Sequence, residues 1–325
     1  MKNNKNVELK NIKRVCIIIL TYNNVLDTIE CINSVNCLKG GPYSVLIVDN
    51  ASTDNTVEMI KEKFPGVNIL QLNRNLGFSA GINEGIKWAY KRNFAYFFIL
   101  NNDTVLGKDM MQMLLEVASA KGDRAMVMPR ILFYLSTNSN ERSGIWSDGG
   151  YLRKFPPSIK LKDDRKSIRF DIAREIDFAP FCGILVPKKV IASVGLLDTS
   201  FFFFYEDWDY CERVREKGFS IWCAPSAVMW HKVSKTIKKG SPQYWYVMGE
   251  SAIKFFRRHY STLISFGHIS YIILRDFFVK MRNIKYLPSY LKGIIMGLFQ
   301  PLDEIVYLEE SPKLRKKNEF HRKQM

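Results

Sequence analysis

Residues 96–104 read Tyr-Phe-Phe-Ile-Leu-Asn-Asn-Asp-Thr, five large apolar or aromatic positions followed at once by four polar ones. A short unbroken apolar run reads as a strand buried on both faces, and the abrupt switch to polar residues marks its carboxyl end. Working outward, the same grammar recurs at Val15 to Leu20, Ser44 to Val48, Val67 to Leu72 and Ala125 to Met128. Between these runs apolar residues fall at helical spacing: Leu26, Ile29 and Ile32, then Val57, Ile60 and Phe64, then Ile82, Ile86 and Ala89, then Met110, Leu114 and Ala118. Four βα units in succession predict an α/β fold with a mostly parallel central sheet flanked by helices.

The chain has 325 residues, 47% of them hydrophobic, enough for one large domain and an extension. Its 48 basic and 32 acidic residues leave a net charge of +16. That balance points to an anionic partner: nucleic acid, a phosphorylated ligand or an acidic lipid surface. Six cysteines show neither a CxxC nor a Cys/His finger spacing, so they read as reduced core residues. Met1 to Lys13 are polar and rich in Asn and Lys, without the apolar stretch of a secretory signal. The expectation is a flexible segment 1–13 and a cytoplasmic, reducing compartment.

After Pro129 the regularity fails. Ser136 to Ser143 are polar, and Tyr151 to Arg174 are basic with little periodicity, which predicts a variable insertion over a ligand cleft. Order resumes at Phe178 with a strand through Val186, a helix after Pro187 and the aromatic run Phe201 to Tyr205. The acids Glu206, Asp207 and Asp209 then open a helix of about Asp207 to Lys217 that Gly218 closes. Strands Ser220 to Cys223 and Val228 to Trp230 lead to His231. Beyond Lys232 the chain turns basic and aromatic, and its apolar stretches are broken by His268 and Arg275, then by Pro288 and Lys292, so no spanning helix is expected. Residues 236–325 therefore read as a helical extension. It either lies on an anionic membrane face or packs on the preceding domain, and the two readings are compatible.

Open α/β sheets bind ligands at the carboxyl ends of their strands. Here those ends carry Thr21-Tyr22-Asn23-Asn24, Asp49-Asn50-Ala51-Ser52, Asn73 to Gly81, and Asn101-Asn102-Asp103-Thr104. Each alone has a local reading as cap or turn, but four at one sheet edge point to a ligand. There is no GxxxxGK[ST] loop and no GxGxxG in the first βα turn, which argues against a P-loop ATPase and a dinucleotide-binding dehydrogenase. Nucleotide phosphates would need a metal or side chains to neutralise them, and Asp103 suits a hard ion such as Mg2+ or Mn2+. A nucleic-acid-binding protein would interleave aromatics with Lys and Arg on the sheet, whereas here they gather in the extension. A nucleotidyltransferase would carry a Gly-rich basic loop where TYNN stands.

The ordered series TYNN, VDNASTD, NRNLGFSAGINEGI, FILNNDT and GLLDTSFFFFYEDWDYCERVREKGF, ending in a lone His, resembles the inverting family-two glycosyltransferases over about Val15 to His231. It is most similar to their rhamnosyltransferase and galactofuranosyltransferase branch. The resemblance implies a GT-A fold over 14–235 and a nucleotide-sugar donor, UDP- or dTDP-linked. It implies a saccharide acceptor carried on a polyprenyl diphosphate, single addition in cell-surface polysaccharide synthesis, and no nucleic-acid partner. The enzyme would work on the inner face of the cell membrane. On the same grounds Thr21, Tyr22 and Asn23 line the nucleoside pocket with Ser52, Asp49 bonds the base or ribose, and Asn75, Gly77, Asn83 and Asn102 lie near the nucleotide sugar. Asp103 and His231 bind the divalent cation, Asp207 is the general base, and Glu206 orients the acceptor. Asn101 departs from the family's usual acidic residue, which leaves Asp103 to carry the metal.

Overall fold

The computed structural model describes residues 14–134, 144–153, 158–160, 172–233, 240–261, 264–265, 267, 269–271 and 285–309. The expectations for segment 1–13 and for Ser136 to Ser143 lie outside these.

The expected βα units form as β1 (Val15–Thr21), α1 (Val25–Asn36), β2 (Ser44–Asp49), α2 (Thr56–Lys63), β3 (Asn68–Gln71), α3 (Gly77–Lys91), β4 (Tyr96–Asn101), β5 (Thr104–Leu106), α4 (Met110–Ala120) and β6 (Ala125–Phe133). Short strands β7 (Ile145–Ser147), β8 (Tyr151–Arg153), β9 (Ser158–Lys160) and β10 (Arg174–Ile176) follow. The insertion is thus partly built into the sheet: β7 pairs with β6 and β10 with β12. Then come β11 (Gly183–Pro187), α5 (Lys188–Val194), α6 (Glu206–Glu216) and β12 (Ser220–His231).

The main sheet runs β10-β12-β6-β11-β4-β1-β2-β3. β3, β2, β1 and β4 are mutually parallel; β11 lies antiparallel to both β4 and β6, and β12 is parallel to β6. Six strands therefore point one way, which is the mostly parallel sheet expected. Strand order reverses at β1, which has β2 on one side and β4 on the other, so the crevice between the carboxyl ends of β1 and β4 is the switch point where such sheets bind ligands.

In place of the two strands expected after Ser220 there is one of twelve residues, with its register to β6 shifted between Ala224 and Val228. Pro225 lies in that irregularity, where a missing N–H leaves no ladder bond unmade. Past the bulge β12 pairs antiparallel with β5, setting His231 opposite Thr104. All six cysteines are free, and all but Cys37 are buried.

The extension supplies α7 (Pro242–His259) and α8 (Leu287–Phe299). α7 packs on the preceding α/β body. Lys254 donates to the carbonyl of Ser200 at 2.9 Å and Ser251 to that of Phe203 at 3.1 Å. Phe201, Ile253, Phe255, Phe256, Tyr290 and Ile294 share a second core with it. Segment 301–309 returns across the body: Arg258 bonds Asp198 and the Asp303 carbonyl, and Leu196 N–H donates to Val306. No helix among the described residues is long and apolar enough to cross a membrane.

α7 and α8 touch through glycines. A Cβ on Gly293 would sit 2.0 Å from the Tyr246 carbonyl oxygen, and one on Gly249 would sit 2.6 Å from that of Tyr290. Backbone cannot yield as a side chain can, so Gly293→Ala must push the helices apart. The expected cost is about 2 kcal/mol, read as a lower midpoint in thermal or urea unfolding.

Candidate active site

At the switch point the polar strand ends interlock. Thr21 Oγ1 lies 2.9 Å from Thr28 Oγ1, and the Asn102 amide donates to both hydroxyls, at 3.2 and 2.9 Å. Asn23 and Asn24 hold left-handed backbone, which turns the chain sharply off β1. Asn23 N–H donates to Ser52 Oγ at 2.7 Å, and Asn23 Oδ1 accepts from Thr53 N–H at 2.8 Å. The Asp49 carboxylate accepts Ser52 N–H at 3.2 Å. Tyr22 stays more than a third exposed at the lip.

Asn50, which the site reading passed over, is the hub of the next layer. Its amide nitrogen donates to Asn75 Oδ1 at 3.0 Å and to the Gly77 carbonyl at 3.1 Å, and its oxygen accepts Leu76 N–H at 2.9 Å. Its place beside Asp49 was the available signal. Asn83, expected near the nucleotide sugar, bonds the Leu197 backbone through both ends of its amide, at 2.8 and 2.9 Å. It ties α3 to the loop ahead of the aromatic run, a contact that binds fold to fold.

Asp103 and His231, 128 positions apart, meet through the β5–β12 pairing, with Nε2 3.2 Å from Oδ1. Lys232 fastens the strand end by bonding Asp27 and Glu30 of α1, while its own N–H donates to the Asp103 carbonyl at 3.0 Å. Burial alone would favour the neutral ring. The Cys182 sulfur and the Asp103 carboxylate beside His231 outweigh it and raise the pKa to about 10. Cys182 arrives because β11 runs antiparallel and starts where β4 ends, an adjacency with no mark in the sequence. The proton that this raised pKa favours lies between a buried carboxylate oxygen and a buried imidazole nitrogen; a divalent cation would take its place, held by Asp103 and the neutral form of the ring. Among the described residues no group of three or more His, Cys, Asp or Glu is arranged to hold a metal alone. Asn101 is engaged through its backbone, N–H to the Cys182 carbonyl and carbonyl to the Thr104 hydroxyl.

The acid pair stands across a tight aromatic turn. Phe204 and Tyr205 both adopt positive φ, 67° and 66°, directly before Glu206. Consecutive left-handed aromatic residues store strain of a kind found at functional sites. Glu206 is buried and its Oε2 makes no hydrogen bond. Burial and the neighbouring Asp207 push its pKa well up, which favours its protonated form. Burial also raises Asp207, to about 7, against hydrogen bonds from the backbone N–H groups of Trp208 and of Asp207 itself. Asp209 has the opposite environment: burial is overcome by Arg213 and His259, each within 2.9 Å, which hold it ionised as a strut between α6 and α7. Tyr205 and Trp208 stack on one another at 5.3 Å and lean on Phe255.

The start of α3 also meets the aromatic run. Phe78 N–H donates to the Phe202 carbonyl at 2.9 Å, and Gly77, with φ of 78°, makes room for it. A Cβ there would lie 2.6 Å from both the Phe202 ring and its carbonyl oxygen.

A mixed sheet with a polar switch-point crevice, a carboxylate–imidazole pair at its lip and an acid-headed helix beside it is the architecture of a GT-A glycosyltransferase. The profile of glycosyl transferase family 2 matches residues 16–194, and the chain belongs to that family. It is 25% identical over 217 residues to the N-acetylglucosaminyl-diphospho-decaprenol L-rhamnosyltransferase of Mycobacterium tuberculosis, covering 60% of this chain and 68% of that one. It is 20% identical over 302 residues to the dTDP-rhamnosyl transferase RfbF of Shigella flexneri, covering 86% and 94%. Among solved structures it is similar to GalNAc-T7 with UDP, GalNAc and Mn2+, at a TM-score of 0.57 and 14% identity, covering 81% of this chain and 58% of that one.

Gly77→Ala tests the contact between α3 and the aromatic run. A methyl group meets backbone at a left-handed position, so the variant is expected to lose about 2 kcal/mol or more in unfolding free energy. An unchanged thermal midpoint would contradict the contact.

Proposed function

We propose that this chain is an inverting transferase that moves a sugar, rhamnose or a related hexose, from a dTDP- or UDP-linked donor to a saccharide acceptor carried on a polyprenyl diphosphate. It would act as a peripheral enzyme on the inner face of the cell membrane. The observation that carries the reading is the acid pair in the first turn of α6: Glu206 buried with its Oε2 free of any hydrogen bond, Asp207 beside it, and burial raising the pKa of both. A base poised at working pH next to a neutral hydrogen-bond donor is what removal of a hydroxyl proton asks for. The names of the rhamnosyltransferase relatives support the choice of donor and of lipid carrier.

In this reading Asp207 takes the proton of the acceptor hydroxyl while that oxygen forms its bond to the anomeric carbon. The bond from that carbon to the diphosphate oxygen breaks on the opposite face, and the nucleoside diphosphate leaves with the electron pair. Glu206 donates a hydrogen bond to the acceptor and keeps a second negative charge out of the pocket. Asp103 and His231 would hold Mg2+ or Mn2+, which supplies positive charge against the diphosphate. Thr21, Asn23 and Asp49 border the nucleoside side of the crevice, with Asn102 bracing Thr21 from β4.

Asp207→Asn removes the base and leaves donor contacts alone, so turnover is expected to fall about 10²- to 10⁴-fold with donor affinity kept. In the wild type, protonation of Asp207 removes the active form, so the rate falls as pH drops through about 7. A flat profile between pH 5 and 8, or normal turnover in the variant, would overturn the assignment.

Calorimetry with UDP and with dTDP, in Mn2+, in Mg2+ and in chelator, tests the donor side. Binding is expected only with metal and is lost in Asp103→Ala, and the stronger of the two nucleotides identifies the base. Equal binding in chelator would remove the metal from the reading.

A further inference from the structure

α8 is apolar on both sides. Its inner stripe, Tyr290, Gly293, Ile294 and Gly297, is buried against α7. Its outer stripe, Leu291, Ile295, Leu298 and Phe299, recurs at helical spacing and stands in the open, Phe299 at 82% exposure. A surface helix ordinarily puts polar groups there. Residues 287–299 instead contain no acid and a single base, the exposed Lys292, with Lys285 exposed just before the helix.

The size of this face limits what can cover it. Thirteen residues extend about 20 Å, whereas crossing a bilayer takes about 20 residues. A face about 20 Å long and 10 Å wide offers roughly 200 Å², against about 800 Å² per partner in a stable protein interface, so a second copy of the chain fits poorly. An anionic lipid surface needs no matching shape, takes apolar side chains into the acyl boundary and attracts flanking lysines. The chain's net charge of +16 favours the same partner.

We propose that α8 lies in the plane of an anionic membrane surface, with Leu291, Ile295, Leu298 and Phe299 inserted and Lys285 and Lys292 at the headgroups. This deepens the function proposed above and rests on it for what the membrane delivers. α7 is the shared support: it carries α8 on Gly249 and leans Phe255 against Tyr205 and Trp208, which bracket the acid pair. An acceptor anchored in the bilayer thereby reaches Asp207 with its lipid left in place.

The test is co-sedimentation of the 325-residue chain with vesicles of phosphatidylglycerol and phosphatidylcholine, alongside sugar transfer to a soluble, lipid-free acceptor. The double substitution Ile295→Glu and Phe299→Glu alters only exposed side chains. It is expected to lower vesicle partitioning at least about tenfold, with transfer to the soluble acceptor unchanged. Lys292→Glu should weaken binding less, by an amount that shrinks as salt is raised. Wild type that stays in the supernatant, a double variant that binds as well as wild type, or a wild-type dimer that the double variant splits would each overturn the proposal. Vesicle binding that is lost on cue, in a protein that transfers no sugar, would uphold the membrane seat and refute the function it serves.

Discussion

Tyr96 to Leu100 lie between β1 on one side and β11 on the other, buried along their whole length, so the chain first meets a polar environment at Asn101. Four residues there must do what the strand could not. Asn102 braces Thr21 of β1 and Thr28 of α1, Asp103 faces His231, and Thr104 starts the short strand that captures β12. Burial of one strand thus sets the floor of the crevice and the depth at which its ligands sit. The opposite polarity of β11 matters as much, because an antiparallel strand begins where β4 ends and brings Cys182 to the same spot.

The site is assembled from two halves that different forces hold. The strand-end half is a net of short hydrogen bonds among Asn and Ser side chains and backbone, with Asn50 as its hub. The acid half is an aromatic turn under backbone strain, steadied by a buried ionic strut: Asp209 between Arg213 and His259. Three acids within four residues have pKa values shifted differently because their partners differ. Asp209 has two cationic neighbours, Glu206 has a carboxylate and no hydrogen bond on Oε2, and Asp207 has backbone N–H groups. Separate environments for adjacent carboxyl groups let one helix turn hold an ionic strut beside two acids whose pKa values are raised.

The extension contributes to the same turn. α7 reaches the carbonyls of Ser200 and Phe203 and supplies His259 to Asp209, so the acid-headed helix α6 depends on residues far downstream. The family profile ends at residue 194, ahead of the acid pair, α6 and the extension.

Much of this was legible in the chain alone. Apolar runs ending abruptly in polar residues announced the strands, and helical spacing announced α1 to α4, because burial on two faces or on one stripe leaves a local pattern. The ordered motifs announced the family, and Glu206, Asp207, Asp103 and His231 were visible as candidates for the same reason. Tertiary structure alone decided the antiparallel course of β11, the bulge that makes one strand of Ser220–His231, and the two bonds from Asn83 to the Leu197 backbone. It also decided which of the three acids is a strut. These outcomes depend on partners a hundred or more residues away, as with Asn83 and Leu197, or on which neighbour a carboxylate meets. No local pattern records such pairings, because they arise only when the sheet closes.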